Sequence, residues 1–335
     1  MKLIVTGGYG FIGSHLIKHL IGKSHNVINI DSKSYSSMPE TLSNYKNNKL
    51  LKNIKLDINN QKKLREIFND FNPDSIIHLA AESHVDNSIK SPKVFIDSNI
   101  YGTFNLLETT REYLRKKNKI KNFIFLHVST DEVYGSLKTK KDNPFDENYK
   151  YLPNSPYSAS KASSDLLVRS WNKTFSIPTI ITNCCNNFGP WQFPEKLIPV
   201  IIYKCLNKKN IPIYGKGTNI REWIYVEDHI SYLEEILNKG KIGESYNIGS
   251  GIEINNISLA NKICKILDEL IPYKYSYSKL ITFVKDRAGH DYRYAIDSSK
   301  INKEINYKLK NNFDYDLRNT IIWYLDNRDW LKSKL

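Results

Sequence analysis

The feature that most constrains this chain lies at its start. Lys2-Leu3-Ile4-Val5-Thr6 runs straight into Gly7-Gly8-Tyr9-Gly10-Phe11-Ile12-Gly13, and a helix-like stretch follows from His15 to Ile21. An apolar strand, a glycine turn and a helix in that order open a βαβ unit that can seat a dinucleotide. Gly7 allows the tight turn, Gly10 lets the backbone approach a pyrophosphate, and Gly13 lets helix and strand pack closely. The pyrophosphate would sit on the free N–H groups at the helix N-terminus, beside Phe11 and Ile12. The spacing G-x-x-G-x-x-G differs from the commonest fingerprint in its first gap. Asp31 ends a second apolar strand, Asn26 to Asp31. A carboxylate there accepts hydrogen bonds from both adenosine ribose hydroxyls and repels a 2′-phosphate, so NAD is expected over NADP.

The rest of the first half repeats the alternation. Asn53 to Leu56, Ser75 to Ala81, Asn122 to Ser129 and Pro178 to Cys184 read as strands. Gln61 to Phe68, Thr103 to Lys117 and Pro156 to Phe175 read as helices. Strands alternating with helices imply parallel pairing. Strands that are apolar throughout suit a sheet covered on both faces. The predicted fold is therefore α/β: a Rossmann-type doubly wound parallel sheet with a smaller, interleaved C-terminal substrate-binding lobe. Residues 1–189 are expected to form the NAD-binding domain. Residues 221–249 are expected to rejoin it, with a helix from Val226 to Asn238 and a strand from Ser245 to Gly249. Residues 190–335 supply mainly the second lobe, opened by Pro190, Pro194, Pro199 and Pro212.

Composition narrows the class. With 335 residues the chain has room for roughly two domains. No stretch reaches the ~20 apolar residues that span a bilayer. The N-terminal apolar run is too short for a secretory signal, so a cytoplasmic protein is expected. Cys184, Cys185, Cys205 and Cys264 form no C-x-x-C pair, which leaves free thiols in a reducing compartment and no metal. Lys+Arg 49 against Asp+Glu 35 gives a net charge of +14. That balance favours a polyanionic partner or a phosphorylated small molecule, or it is a composition bias spread over solvated faces. The Lys-Asn clusters at Lys46 to Lys52 and Lys116 to Lys121 read as solvated loops or helix ends.

Two further motifs carry chemistry. Pro156-Tyr157-Ser158-Ala159-Ser160-Lys161 puts Tyr157 and Lys161 at i, i+4 on one helix face. A phenol with a pKa of about 10 must come down by ~3 units to work as a base near neutrality. Lys161 and a positive nicotinamide ring would supply that shift. Tyr157 then takes a hydroxyl proton while hydride leaves for NAD. After the strand ending at Val128 comes Ser129-Thr130-Asp131-Glu132-Val133-Tyr134-Gly135. C-terminal strand ends line the ligand crevice of such sheets, and Thr130 there can hydrogen-bond a substrate hydroxyl. Two adjacent carboxylates raise at least one pKa. One acid protonated and one ionised make a pair suited to eliminating water. Asp57 at the adenine edge, and Leu79-Ala80-Ala81 at the end of the fourth strand, fit a cofactor contact and a packing role equally.

Together these motifs resemble the extended short-chain dehydrogenase/reductase superfamily. Within it the chain resembles the nucleotide-sugar 4,6-dehydratases acting on dTDP-glucose or UDP-glucose. The resemblance runs through His78-Leu79-Ala80-Ala81-Glu82-Ser83-His84-Val85-Asp86, the Thr130-Asp131-Glu132 triplet, Asn183-Cys184-Cys185-Asn186-Asn187-Phe188-Gly189-Pro190 and Phe193-Pro194-Glu195-Lys196-Leu197-Ile198-Pro199. It ends at Arg221-Glu222-Trp223, Tyr246-Asn247-Ile248-Gly249 and Asp286-Arg287-Ala288-Gly289-His290. It implies that Tyr157, Lys161 and Thr130 oxidise the glucose C4 hydroxyl. Glu132 then removes the C5 proton, Asp131 protonates the departing C6 hydroxyl, and hydride returns to C6. NAD is then a bound catalyst renewed each turnover, and the product opens a route to a deoxysugar such as rhamnose.

The resemblance also places Ser34, Asp57, Ile58, Leu79, Ala80, Ala81, Ser98 and Asn187 around the cofactor. It places Ser83, Asn186, Lys196, Leu197, Pro212, Tyr214, Arg221, Asn256, Arg287 and His290 around the nucleoside diphosphate and sugar. Arg221 and Arg287 suit bidentate phosphate contact. A homodimer through a four-helix interface, built by the helices of Thr103 and Tyr157, is implied too. The dTDP enzymes usually have proline where Ala288 stands. His84-Val85-Asp86-Asn87-Ser88 and Asn99-Ile100-Tyr101-Gly102-Thr103 look closer to the UDP-glucose branch, and Asp286 to His290 to the dTDP branch. Both nucleotides stay open, since one methyl group in a pocket is worth only ~1–3 kcal/mol.

Three rivals remain. A 4-epimerase of the same fold would share the glycine turn, Tyr157 and Lys161 without needing Asp131 and Glu132. A nucleic-acid binder would cluster its lysines with exposed aromatics on one face, whereas here they scatter among Asn and Ile. A catalytically inactive sugar-nucleotide binder would have no use for an intact Tyr157, Lys161, Asp131 and Glu132. No nucleic-acid or membrane partner is therefore expected.

Overall fold

A computed structural model describes residues 1–117, 123–307 and 312–334. Seven strands form one sheet: β1 (Lys2–Thr6), β2 (Asn26–Asp31), β3 (Leu51–Lys55), β4 (Ser75–His78), β5 (Ile124–Thr130), β6 (Thr179–Cys184) and, later in the chain, β10 (Ser245–Ile248). Their order is β10-β6-β5-β4-β1-β2-β3 and every pairing is parallel. The order reverses between β1 and β4, so a crevice opens there at the carboxyl ends of the strands.

Helices cover both faces, which is why the central strands read as continuous apolar runs. α1 (Phe11–Gly22) lies on one face. α2 (Gln61–Phe71), α5 (Gly102–Lys117) and α6 (Pro156–Phe175) lie on the other, after the short α3 (Val85–Lys90) and α4 (Pro92–Phe95). Leu3, Val5, Leu16, Ile17 and Leu20 belong to the first core; Ile4, Leu64, Phe68, Leu106 and Leu107 belong to the second. Each fully buried aliphatic contributes about 1.5–3 kcal/mol.

A third core forms the lobe. There α7 (Leu197–Leu206) and, further on, α9 (Asn256–Leu270) and α11 (Phe313–Asp326) pack around two small sheets. One sheet joins β7 (Asn186–Phe188), β9 (Ile220–Tyr225) and β11 (Glu253–Asn255); the other joins β8 (Ile211–Tyr214) and β12 (Ile281–Val284). α8 (Val226–Lys239) returns to pack on α1, and β10 takes the sheet position beside β6. Of the stretch 221–249, strand β9 therefore does not rejoin the large sheet. The position beside β6 is taken by β10, and β9 pairs with β7 and β11 instead. α10 (Ser299–Ile305) covers β10, and α12 (Arg328–Ser333) ends the described chain.

Other expected boundaries shift for local reasons. α1 begins at Phe11 rather than near His15, because extended Gly10 serves as its N-cap. β4 stops at His78 rather than Ala81: Leu79 N–H still donates to Thr6 O at 3.2 Å, and then the chain turns into the crevice. The expected strand start at Asn122 and residues 118–121 of the Lys-Asn cluster lie outside the described residues.

Candidate functional site

The crevice floor is the glycine turn. Gly7 has φ +73°, and a Cβ there would lie 2.7 Å from the Ala80 nitrogen, so β1 and the end of β4 meet backbone to backbone. A Cβ on Gly13 would stand 2.2 Å from the Gly7 carbonyl oxygen. Gly10 differs: only Gly7 O, at 3.1 Å, comes near its Cβ position, so this glycine keeps one side open to the crevice. Gly8 is a further fixed position that the spacing argument passed over. Its N–H donates to Asn29 Oδ1 at 3.0 Å, and a Cβ would strike that oxygen. The adjacent glycine pair was the signal.

Asp31, at the end of β2, is buried and ties down both flanks of the crevice. Its Oδ2 accepts from Tyr9 N–H at 3.0 Å; its Oδ1 accepts from Lys33 N–H at 2.8 Å and Ser37 Oγ at 2.9 Å. A carboxylate has about four lone-pair sites, so about one, on Oδ2, remains for a ribose hydroxyl rather than one for each of the two expected. Beyond it opens a cavity of about 630 Å3. Ser34, Asp57, Ile58, Leu79, Ala80, Ala81 and Ser98 line it. This half of the crevice can hold an adenosine and a pyrophosphate.

At the other half β5 ends in Thr130, which caps a 3-10 turn, Asp131–Tyr134, by accepting from Glu132 N–H at 3.3 Å. Thr130 Oγ1 donates to Asp131 Oδ1 at 3.2 Å, and Asp131 Oδ2 is buried without a hydrogen-bond partner among the described residues. Burial holds the Asp131 carboxyl well above the usual range, and the charges of Glu132 and Glu222 push the same way. Burial also raises Glu132, but Arg221, Arg287 and Lys196 pull it back. Both acids are thus raised, Asp131 the more strongly because two acids add to its burial while three cations oppose the rise of Glu132.

α6 brings Tyr157 and Lys161 to the same wall. A capping box fixes its start: Ser155 Oγ accepts from Ser158 N–H and Ser158 Oγ from Ser155 N–H, both at 3.0 Å. Lys161 is buried and donates to Val128 O at 2.9 Å. Burial pushes the Tyr157 phenol well above its ordinary range; the Glu132 charge adds to this and the Thr130 hydroxyl opposes it. Within the protein itself the phenol is therefore raised, not lowered as the Tyr157–Lys161 spacing leads one to expect.

The lobe closes the crevice. Ser83, Asn186, Lys196, Leu197, Pro212, Tyr214, Arg221, Asn256, Arg287 and His290 all line one continuous space with Glu132. Their side chains are not equally available. Lys196 Nζ donates to Ser83 O at 3.0 Å, and Tyr214 donates to Asp86 Oδ2 at 3.0 Å. Arg221 is buried over the Tyr294 ring, at 4.3 Å, and donates to the carbonyls of Ile220 and Asp291 at 2.7 and 3.0 Å. Arg287 stands 3.5 Å from Asp86, and its Nε has no hydrogen-bond partner among the described residues. His290 meets Asp286 at 2.6 Å. Asn256 Oδ1 is buried and has no hydrogen-bond partner among the described residues.

Asn187 lines the crevice with Gly7 and Tyr157, yet its amide turns inward, its Oδ1 accepting from His229 Nδ1 at 2.8 Å and its Nδ2 donating to Cys185 O at 3.0 Å. Gln192, Phe193 and Glu195 were not singled out as site residues, although all three line the crevice. Tyr35 was passed over too: it donates to Glu195 Oε2 at 2.8 Å and meets the Phe193 ring at 5.9 Å. The Phe193-Pro194-Glu195-Lys196 run was the available signal; nothing in the sequence marks Tyr35.

Residues 4–320 match the family described as GDP-mannose 4,6 dehydratase. The dTDP-glucose 4,6-dehydratase of Salmonella typhimurium is 47% identical over 343 residues, covering 99% of this chain and 95% of the relative. The crystal structure of DesIV, a dTDP-glucose 4,6-dehydratase from Streptomyces venezuelae with NAD bound, superposes with a TM-score of 0.91 at 38% identity and covers 100% of both chains. A UDP-glucose 4-epimerase from Thermotoga maritima, solved with UDP-glucose, gives a TM-score of 0.85 at 26% identity, over 98% of this chain and 100% of the other. The chain belongs to the GDP-mannose 4,6-dehydratase family of nucleotide-sugar enzymes.

Proposed function

We propose that this protein dehydrates dTDP-glucose to its 4-keto-6-deoxy product with NAD as a permanently held catalyst. One observation carries the reading. Asp131 and Glu132 stand together at the end of β5, in the same crevice as Tyr157, both raised by burial but with Asp131 pushed further by neighbouring acids and Glu132 held back by three cations. A 4-epimerase has no work for such a pair. The residues present fit NAD: Gly10 leaves its flank open, Asp31 keeps acceptor capacity, and the glycine turn admits no side chain at Gly7 or Gly13. When bound, NAD accepts the C4 hydride and returns it at C6.

The chain's own residues manage the protons. Tyr157 takes the proton of the C4 hydroxyl, with Thr130 holding that oxygen. The new ketone acidifies the C5 proton, which Glu132 removes. Asp131, kept protonated, donates to the C6 hydroxyl as it leaves as water. Arg287 and Lys196 face the diphosphate with charge-assisted hydrogen bonds. Leu197, Pro212 and the unpartnered Asn256 oxygen fit the base, and 190–335 is mainly the sugar-nucleotide lobe. The relatives named for dTDP-glucose favour that nucleotide over UDP-glucose.

Exposed Ile89, Val94, Ile96, Tyr101 and Leu166 lie on or beside α3 to α6 and suit a homodimer through α5 and α6. No helix of the described residues is long and apolar enough to cross a membrane. Cysteines 184, 185, 205 and 264 are free thiols, which fits a reducing cytoplasm. Incubation with dTDP-glucose and UDP-glucose side by side tests the reading, by the ultraviolet absorbance of a 4-keto sugar in alkali. Absorbance with dTDP-glucose is expected; a 4-epimer as the only product would refute it.

A further inference from the structure

Behind the Tyr157–Lys161 face lies a carboxylate for which the proposed chemistry has no role. Asp165 sits one turn beyond Lys161 on α6 and is 1% exposed. Four donors converge on it. His127 Nε2 reaches Oδ1 at 3.1 Å; Ser129 Oγ, Tyr151 Oη and Asn183 Nδ2 reach Oδ2 at 2.8, 3.1 and 3.2 Å. The same Asn183 amide donates to Thr130 O at 3.2 Å, and Lys161 donates to Val128 O at 2.9 Å. One carboxylate therefore ties α6, β5 and β6 together just beneath Thr130, Asp131 and Glu132.

We infer that Asp165 is a positioning residue: through Ser129 and Asn183 it fixes the end of β5, whose Val128 carbonyl holds the Lys161 ammonium, and from one helical turn away it supplies the negative charge that supports that buried ammonium. This rests on the proposed dehydratase reading. Lys161 lies in the interior, where an isolated ammonium is disfavoured. Every other group facing Asp165 is neutral at working pH. His127, on β5, is pushed well below its ordinary range by burial and then by the Lys161 charge. Tyr151, on the preceding loop, and Tyr134, on the turn after β5, are pushed up by burial and then by Asp165 itself. Cys184, on β6, is pushed up to about 12, mainly by burial. Ser129 and Asn183 carry no charge. Asp165 itself is pushed up by burial to about 6, with Lys161 and its donors opposing, so it is ionised above that pH. Lys161 is lowered by burial, and Asp165 opposes that fall first.

The test isolates oxidation at C4. A 6-deoxy analogue of dTDP-glucose can be oxidised there but has no C6 hydroxyl to lose, so bound NADH accumulates and is read by its near-ultraviolet absorbance. Rates are followed against pH for the full chain with NAD. Without the neighbouring charge, Lys161 gives up its proton at lower pH. In Asp165→Asn the alkaline limb should therefore move down by about one to three pH units, with the analogue's KM within about twofold of the parent and the limb restored in Asp165→Glu. A rate lowered equally at every pH, or a profile unchanged, overturns the inference: the first leaves Asp165 a packing role alone. A parent protein that forms no NADH overturns the proposed function and this inference with it. If Asp165→Asn does not fold, the Ser129→Ala, Tyr151→Phe double variant replaces it. With two donors lost, the carboxylate keeps its proton to higher pH, and the acid limb should move up. An acid limb that stays in place overturns the inference.

Discussion

The two walls of the crevice are made of different material. The cofactor wall is main chain: a glycine turn closed to side chains at Gly7 and Gly13, and a carboxylate, Asp31, already fixed by Tyr9, Lys33 and Ser37. Its floor comes from the first 37 residues and the end of β4, with Asp57, Ile58 and Ser98 completing the lining. The lobe wall is side chain, gathered from Ser83 to His290, and its cations meet protein oxygens at 2.7 to 3.5 Å. A backbone wall tolerates almost no substitution. A side-chain wall can lose one contact and keep its shape. The walls should therefore fail differently when cut.

The sharpest cut is Gly13→Ala. Its Cβ would sit 2.2 Å from the Gly7 carbonyl, and backbone cannot yield there as a side chain can. Loss of bound NAD in the purified protein is expected, together with about 1–3 kcal/mol of stability lost in urea unfolding. Gly10→Ala sharpens the contrast. Its Cβ meets only Gly7 O, at 3.1 Å, so unfolding should barely change while NAD retention falls. Equal stability loss in both variants would break the distinction between a packed glycine and a ligand-facing one.

Where the walls meet stand Asp131 and Glu132. Asp131 is raised well above the usual carboxyl range by burial, so it keeps its proton to higher pH than an ordinary carboxyl and gives it up as pH climbs. Elimination should then fail on the alkaline side. Asp131→Asn should lower turnover on the order of a hundredfold while C4 oxidation continues. Product formation and NADH absorbance, followed together, separate the two steps. Glu132→Gln should likewise arrest after oxidation, and full turnover in that variant would refute its place as the C5 base.

The lobe wall predicts a smaller, more selective loss. Arg287 has a half-made contact with Asp86 and an unpartnered Nε, so Arg287→Ala should leave unfolding unchanged. KM should rise about 10- to 100-fold, the worth of a charge-assisted hydrogen bond of about 1.5–3 kcal/mol. Arg287 also pulls Glu132 down, so its removal lets Glu132 keep a proton to higher pH, and the acid limb of turnover should move up. Arg221→Ala should behave otherwise. That guanidinium serves the buried carbonyls of Ile220 and Asp291, so stability falls along with affinity. If Arg221→Ala spared stability, the two arginines would be equivalent after all.

The same division governs what could be read from the chain. The cofactor wall was legible because strand, turn and helix are contiguous, and the spacing marks Gly7, Gly10 and Gly13, though not Gly8, whose partner Asn29 lies on another strand. Thr130-Asp131-Glu132 was legible because a strand end locates it. The availability of Arg221 was not, because its partners lie some 70 residues away, where Asp291 and Tyr292 run beside β9. Asp165 was equally hidden. An aspartate on a helix reads as a solvated residue until His127, Ser129 and Asn183, all from strands, are seen to converge on it. Local periodicity carries elements, while side-chain duty is settled by contacts between elements.

The mildest cut lies farthest from the chemistry. Trp191 adopts φ +66°, a left-handed conformation costly for a bulky residue. It is held by the Trp323 and Trp330 rings, at 4.8 and 5.1 Å, and by Lys18 over its ring at 5.6 Å. The next residue is held as well: the Tyr324 hydroxyl donates to the buried Gln192 carbonyl at 2.7 Å. Through these contacts α11 and α12 fix a segment whose other side, Gln192, Phe193, Glu195 and Lys196, lines the crevice. Tyr324→Phe removes one hydroxyl and leaves that carbonyl unsatisfied, costing about 1–3 kcal/mol. Because the segment belongs to the lobe, KM for the sugar nucleotide should rise a few-fold while NAD stays bound. If NAD were lost with it, the walls would not be independent, and the strain at Trp191 would be supporting both.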